Sequence, residues 1–314
     1  MTMNSTDSAA SQAFEAWTRS ELAAVESALD RHVSAEAPAG LGEVMRYGVL
    51  DGGKRLRALL VLAAARAVGA TTETGRAAAL RAACAVELIH AYSLIHDDLP
   101  CMDNDVLRRG KPTVHVRFGE AQAMLAGDAM QALAFEVLTP DDNAGDPIPP
   151  AMQARLCAVL SRASGLFGMV GGQAIDLASV GQPLNETQLQ DMHRRKTGAL
   201  LQASVMMGAA CGDATPAAQQ ALAAYGAALG LAFQVVDDIL DVTQASDTLG
   251  KTAGKDQDQN KPTYVSTLGL DGARQRATLL HQQALEALAT SGLAGLSDLD
   301  ALTGLADRVV RRQS

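Results

Sequence analysis

Three observations predict an all-α fold for this chain. Ala and Leu abound in a composition that is 48% hydrophobic, and aromatic residues make up only 3%. Strand-like alternation of apolar and polar residues is scarce, so helix is the broad reading. Helix boundaries can also be read locally. Asn185 followed by Gln188 resembles a capping box, and Thr215-Pro216 reads as an N-cap with proline at the first helical position.

Taken in order, residues 1–15, rich in Ser, Thr and Ala, are expected to lack structure, and 16–314 to form the helical part. The length suits one large domain or two small ones. Thr139–Pro150, with four prolines and three aspartates, reads as a loop between helices and not a domain linker. Gly250–Pro262 reads as a second long polar loop, of the kind that closes over a ligand. No signal peptide is evident, and no uninterrupted apolar run is expected to span a membrane. A net charge of -9 argues against nucleic acid as a partner. Four cysteines without metal-ligand spacing fit reduced thiols in a cytoplasmic protein.

Two acidic clusters carry the chemistry. Asp97-Asp98-Leu-Pro-Cys-Met-Asp103 follows the apolar run Glu87–His96, and Asp237-Asp238-Ile-Leu-Asp241 follows Tyr225–Val236. Like charges crowded at the rim of an apolar surface repel and lose hydration unless a multivalent cation neutralises them. One or two carboxylates plus substrate phosphates is the usual way of holding Mg²⁺. Asp237 and Asp241, at i and i+4, share one helix face about 6 Å apart along the axis. Pro100 ends or kinks the first helix, and Asp103 must return across a short turn. Taken singly, either cluster reads equally well as a solvated helix end; two, each after an apolar helix, point to a Mg²⁺–diphosphate site.

Basic residues supply the other half. Gly52-Gly53-Lys54-Arg55-Leu56-Arg57 places Lys54 and Arg57 at i, i+3 near a helix start, and Gly53 lets backbone N–H groups approach an anion. Arg108-Arg109-Gly110 follows the first acidic cluster, and Lys251, Lys255 and Lys261 follow the second. Lysine as a point charge and arginine as a planar fork both suit phosphate oxygens. The pattern suggests one pocket for two anionic ligands.

These motifs, with Gly127-Asp128, Gly171-Gly172-Gln173-Ala-Ile-Asp176 and Lys196-Thr197-Gly198, resemble the trans-isoprenyl diphosphate synthases from about Tyr47 to Val265, and most closely the bacterial farnesyl diphosphate synthases. The resemblance implies a single-domain helical bundle around a deep central cavity, with both acidic helices at its mouth, and a homodimer. It implies head-to-tail condensation of isopentenyl diphosphate with an allylic diphosphate, assisted by Mg²⁺, three ions per site. Asp97, Asp103 and Asp237 would be direct ligands, with Asp98, Asp238 and Asp241 nearby or acting through water, and Gln173 and Asp176 behind them. Arg108, Lys196 and Lys251 would grip the allylic diphosphate. Gly53, Lys54, Arg57, His90, Arg109 and Lys261 would form the metal-free isopentenyl diphosphate site. Thr197 and Gln234 resemble the polar groups beside the carbocation.

Chain length should follow depth. Tyr92, roughly 7 Å along the helix from Asp97, resembles the floor of farnesyl synthases, with Ser93 beside it and two extra residues, Pro100 and its neighbour, in the motif. Asn104 departs from the acidic run common in relatives. Products of ten or twenty carbons, a terpene cyclase and a silent subunit of a heteromeric synthase are the alternatives. Scarce aromatics argue against the cyclase, and the two intact acidic motifs argue against the silent subunit.

Overall fold

In the computed structural model the described residues are 5–50, 52–141, 148–182, 184–243, 262–293 and 296–312. Lys251, Lys255, Lys261 and nearly all of the second polar loop lie outside them. The helices are α1 (Ser5–His32), α2 (Leu41–Val49), α3 (Leu56–Ala67), α4 (Glu73–Asp97), α5 (Val114–Phe118) and α6 (Glu120–Leu138). They continue with α7 (Pro150–Ser164), α8 (Met169–Ala178), α9 (Glu186–His193), α10 (Ala199–Ala209), α11 (Pro216–Thr243), α12 (Tyr264–Ala289) and α13 (Leu296–Arg311). The all-α expectation holds. One short hairpin, β1 (Leu107–Arg108) with β2 (Lys111–Pro112), is the exception among the described residues.

The two long acidic helices are the centre of the bundle. α4 packs on α6 and α3, α11 on α12 and α10, and α10 closes the gap by packing on α3. α4 is capped by Thr72, whose hydroxyl accepts from the Gly75 N–H at 3.0 Å. It buries alanines at 78, 79, 82, 83 and 85, small enough to bring neighbouring helices close. α11 opens as its sequence predicts, with Ala218 N–H donating to Thr215 Oγ1 at 3.2 Å. The Asn185–Gln188 capping box is present in both directions at 3.0 Å.

One expectation needs correction. α1 begins at Ser5, inside the stretch expected to lack structure, because Phe14 and Trp17 stack together and pack against the second apolar core. The Arg308 guanidinium lies over the Phe14 ring at 4.9 Å. Two helices, α4 and α11, are also long and apolar enough to cross a membrane by length and composition. Their apolar windows are 72% and 56% buried within the protein, as befits core helices.

Candidate active site

The first acidic cluster is folded by its own backbone. Asp97 is the last residue of α4 and Asp98 its C-cap. The chain reverses through Pro100 so that the Asp103 N–H reaches the Asp97 carbonyl at 2.8 Å, and the Asp105 N–H reaches that of Asp98 at 3.1 Å. Asn104 holds the turn in the left-handed region (φ 51°), which asparagine adopts at little cost. Burial pushes the Asp97 carboxyl up to about 6; Lys196 partly offsets this and Asp103 adds to it.

Asp98 is buried and spoken for. Arg108 Nε lies 2.9 and 3.0 Å from its two oxygens, and Nη2 lies 2.5 Å from Oδ1. The hairpin explains how one Arg-Arg pair serves two places. Arg109 (φ 53°) and Gly110 (φ 75°) both take left-handed conformations at the turn between β1 and β2. Arg108 thus faces the acidic cluster. Arg109 donates to the Gly52 carbonyl at 2.8 Å, and its guanidinium covers Gly53, where a Cβ would stand 3.0 Å from it.

The second cluster lies on the last turns of α11. Asp237 is 40% exposed and pairs with Arg312 at 3.2 Å. Asp238 is buried: it accepts Gln234 Nε2 at 2.9 Å and the backbone N–H of Tyr264 at 2.7 Å. Gln234 in turn accepts the Thr197 hydroxyl at 3.0 Å. Asp241 is buried one turn further on.

A π-helical segment, Arg194–Gly198, carries Lys196 and Thr197 between these walls. Two glycines admit it: a Cβ at Gly172 would stand 2.2 Å from the Lys196 nitrogen, and one at Gly230 2.8 Å from the Gly198 Cα. Lys196 Nζ lies 2.5 Å from Asp176 Oδ2. Burial opposes its charge, but Asp176 and Asp97 outweigh that and hold its pKa above the ordinary value. Both side-chain polar atoms of Gln173 are buried without a hydrogen-bond partner beside the same cavity.

Three cavities meet at Arg57 and His90. An apolar one of about 360 Å³ reaches Tyr92, Met169 and Leu177. A polar one of about 450 Å³ is lined by Asp103, Asp237, Arg108 and Lys196 together, so the two acidic clusters do face each other. A third, of about 680 Å³, contains Gly53, Lys54, Arg109, Arg308 and Arg312. Burial, reinforced by Arg57 and Arg109, holds the His90 imidazole well below its usual pKa and therefore neutral. Burial likewise lowers Arg57 to about 10.

No group of three acidic, His or Cys side chains among the described residues forms a ready-made metal cage. The donors fit Mg²⁺ all the same: carboxylates stand on two facing walls with room between them, the arrangement in which substrate oxygens complete the coordination.

Sequence reasoning missed several members of this site. Arg55 (φ 44°) is buried, donates to Glu26 at 2.7 Å, and pairs with Glu87 at 3.4 Å. Glu87 also accepts the Ala58 N–H at the start of α3 at 3.1 Å. A lone glutamate within the apolar run of α4 was the available signal, since buried carboxylates need partners. Arg312, 75 residues beyond Asp237, offered none.

A polyprenyl synthetase family model matches residues 38–291. The chain belongs to that family. It is 48% identical over 254 residues to a farnesyl diphosphate synthase of Geobacillus stearothermophilus, covering 81% of this chain and 84% of that protein. It is 47% identical over 274 residues to the heterodimeric geranylgeranyl pyrophosphate synthase large subunit 1 of Arabidopsis thaliana, covering 86% and 72%. A Helicobacter pylori geranyltransferase crystallised with magnesium and isoprenyl diphosphate superposes with a TM-score of 0.82 at 35% identity, covering 95% of this chain and 97% of that one. Family membership thus fixes the fold and reaction type more tightly than product length.

Proposed function

We propose that this chain is a prenyltransferase that condenses isopentenyl diphosphate with dimethylallyl and then geranyl diphosphate, ending at farnesyl diphosphate. One observation carries the reading: a polar cavity with carboxylates and basic side chains on its walls adjoins a basic one and an apolar one, and all three join at Arg57 and His90. A chain with a charged head and a greasy tail needs the polar and apolar parts, and a second diphosphate needs the basic part.

Mg²⁺, three ions per site, would neutralise the diphosphate and stabilise the charge it develops on leaving carbon. Asp97, Asp103 and Asp237 are the proposed direct ligands. Asp98 and Asp238, already bound to Arg108 and to Gln234 and Tyr264, position the walls. Lys196 and Arg108 face the same cavity and would grip the allylic diphosphate, with Lys251. Lys54, Arg57 and Arg109 would hold isopentenyl diphosphate, with Lys261. Neutral His90 would donate an N–H there without adding charge. The Thr197 hydroxyl spends its proton on Gln234, so its oxygen lone pairs remain to stabilise a neighbouring carbocation. The released diphosphate would accept the proton lost from the condensation product.

Tyr92, 6% exposed and lining the apolar cavity, would stop the tail at fifteen carbons. The assembly proposed is a cytoplasmic homodimer. It is supported by exposed Leu166 and Phe167 just before α8, Val170 in its first turn, and Met124 and Leu125 on α6. Relatives named geranylgeranyl synthases make a twenty-carbon product the second reading.

The test is product analysis with isopentenyl diphosphate, Mg²⁺ and dimethylallyl or geranyl diphosphate. Farnesyl diphosphate as end product supports the reaction and the floor together. A ten- or twenty-carbon product keeps the chemistry and removes the floor, and no elongation by folded protein removes both.

A further inference from the structure

The floor residue Tyr92 has nothing polar to hold it. Its hydroxyl is buried with no hydrogen-bond partner, so its ring must be set by packing alone. One helical turn further along α4, His96 meets that ring edge-on, with centroids 5.7 Å apart and planes at 75°. Both residues line the apolar cavity.

His96 is itself held by α6. Its Nε2 lies 3.0 Å from the Met124 carbonyl on α6, which makes that nitrogen the protonated one. Beside it α6 carries Gly127, and a Cβ there would stand 2.0, 2.5 and 2.7 Å from three atoms of the imidazole. Helix α6 therefore lacks a side chain where the His96 ring sits. The φ of Gly127 is ordinary helical, so glycine is needed at this position for space and not for backbone freedom.

We infer that His96, seated in the notch at Gly127, is a specificity-determining residue that holds Tyr92 across the end of the prenyl cavity and so sets product length. This rests on the farnesyl reading above. The logic is mechanical. An aromatic floor limits chain growth only while its ring cannot rotate aside, and the edge contact to a clamped imidazole removes that freedom. Emptying the notch gives the Tyr92 ring somewhere to go, and the tail gains depth along α4. A side chain that keeps the bond to Met124 but lacks the ring should keep α4 and α6 together and still release the floor.

The experiment measures product lengths from geranyl and from farnesyl diphosphate with isopentenyl diphosphate and Mg²⁺, for the wild type, His96→Ala, His96→Gln and the double variant His96→Ala/Gly127→Ala. The readout is the ratio of twenty- to fifteen-carbon product, which is independent of how much enzyme is active. Expected is a ratio raised at least several-fold in His96→Ala and in His96→Gln. In the double variant the new methyl partly refills the notch and brings the ratio back toward wild type. His96→Gln serves where His96→Ala does not fold, since it retains a donor for the Met124 carbonyl. A wild type ending at fifteen carbons, with His96→Gln giving the same ratio, overturns this inference and leaves the farnesyl reading standing. A wild type that already makes twenty carbons, or none, overturns both.

Discussion

Replacing Asp238 tests whether the second acidic cluster is uniform or divided between ligand and strut. Asp238 is almost wholly buried and accepts two hydrogen bonds, from Gln234 on its own helix and from the Tyr264 backbone N–H that opens α12. Bonds to a charged acceptor contribute about 1.5–3 kcal/mol each, and a buried donor left unpaired costs about 1–3 kcal/mol. Asp238→Ala should therefore lower unfolding free energy by about 3–5 kcal/mol, read by denaturant titration of metal-free protein. Asp238→Asn is the sharper probe. Its carboxamide oxygen can still accept from Tyr264, while its NH₂ then faces Gln234. Turning over the Gln234 amide restores the bonds to Gln234 and Thr197 in reverse, so that Thr197 becomes an acceptor and its hydroxyl proton turns toward the cavity. Asp238→Asn should thus keep stability within about 1 kcal/mol but slow turnover, because a proton now points where positive charge develops. Were Asp238 a plain metal ligand, Asp238→Ala would leave the metal-free protein as stable as before, or more so through relief of repulsion from Asp237. That result would refute the division.

Tyr92→Ala should lengthen the product at a stability cost on the order of 3 kcal/mol; an unchanged product chromatogram would remove Tyr92 as the floor. Breaking the buried Arg55 cluster by Arg55→Met should cost about 3–5 kcal/mol, because Glu87 is left buried without its ion-pair partner, and Glu87→Gln should cost less, because Arg55 keeps Glu26. Any surviving Glu87→Gln enzyme should show a raised KM for isopentenyl diphosphate, since Arg55 holds the junction between Lys54 and the start of α3, where Arg57 lies. Asp97 titrates near 6 in the metal-free protein, above its ordinary value, because burial disfavours its charge. Its ionisation therefore opposes folding as pH rises through about 6, and its proton competes with metal below that. Mg²⁺ with inorganic diphosphate should consequently raise Tm more at pH 7.5 than at pH 5, and Asp97→Asn should flatten that difference.

Much of the site was legible because its chemistry is written in residue type and spacing. Asp237 and Asp241 at i, i+4 on an apolar helix can lie only on one face. Pro100 after Asp98 must end or kink α4, and the Asn185 and Thr215 caps state their helix starts outright. What remained hidden depends on distant chain segments meeting. Ten residues separate Asp98 from Arg108, and only the left-handed turn at Arg109-Gly110 brings them into register. The interior contacts of Gly172, Gly127 and Gly230 are matters of what stands opposite a missing Cβ, which no local pattern encodes. The π-helical segment under Lys196 and the return of Arg312 to Asp237 are of the same kind.

By itself, then, the amino-acid sequence determined an all-α chain with two acidic helix ends, three basic clusters and an aromatic residue one and a half turns below the first carboxylate. It did so because helix periodicity and hard-ligand chemistry are local. Only the tertiary structure decided which carboxylates face the cavity and which are tied to arginine or to backbone, and that a histidine in a glycine notch packs edge-on against Tyr92. Those outcomes depend on burial and on close packing between segments 10 to 75 residues apart.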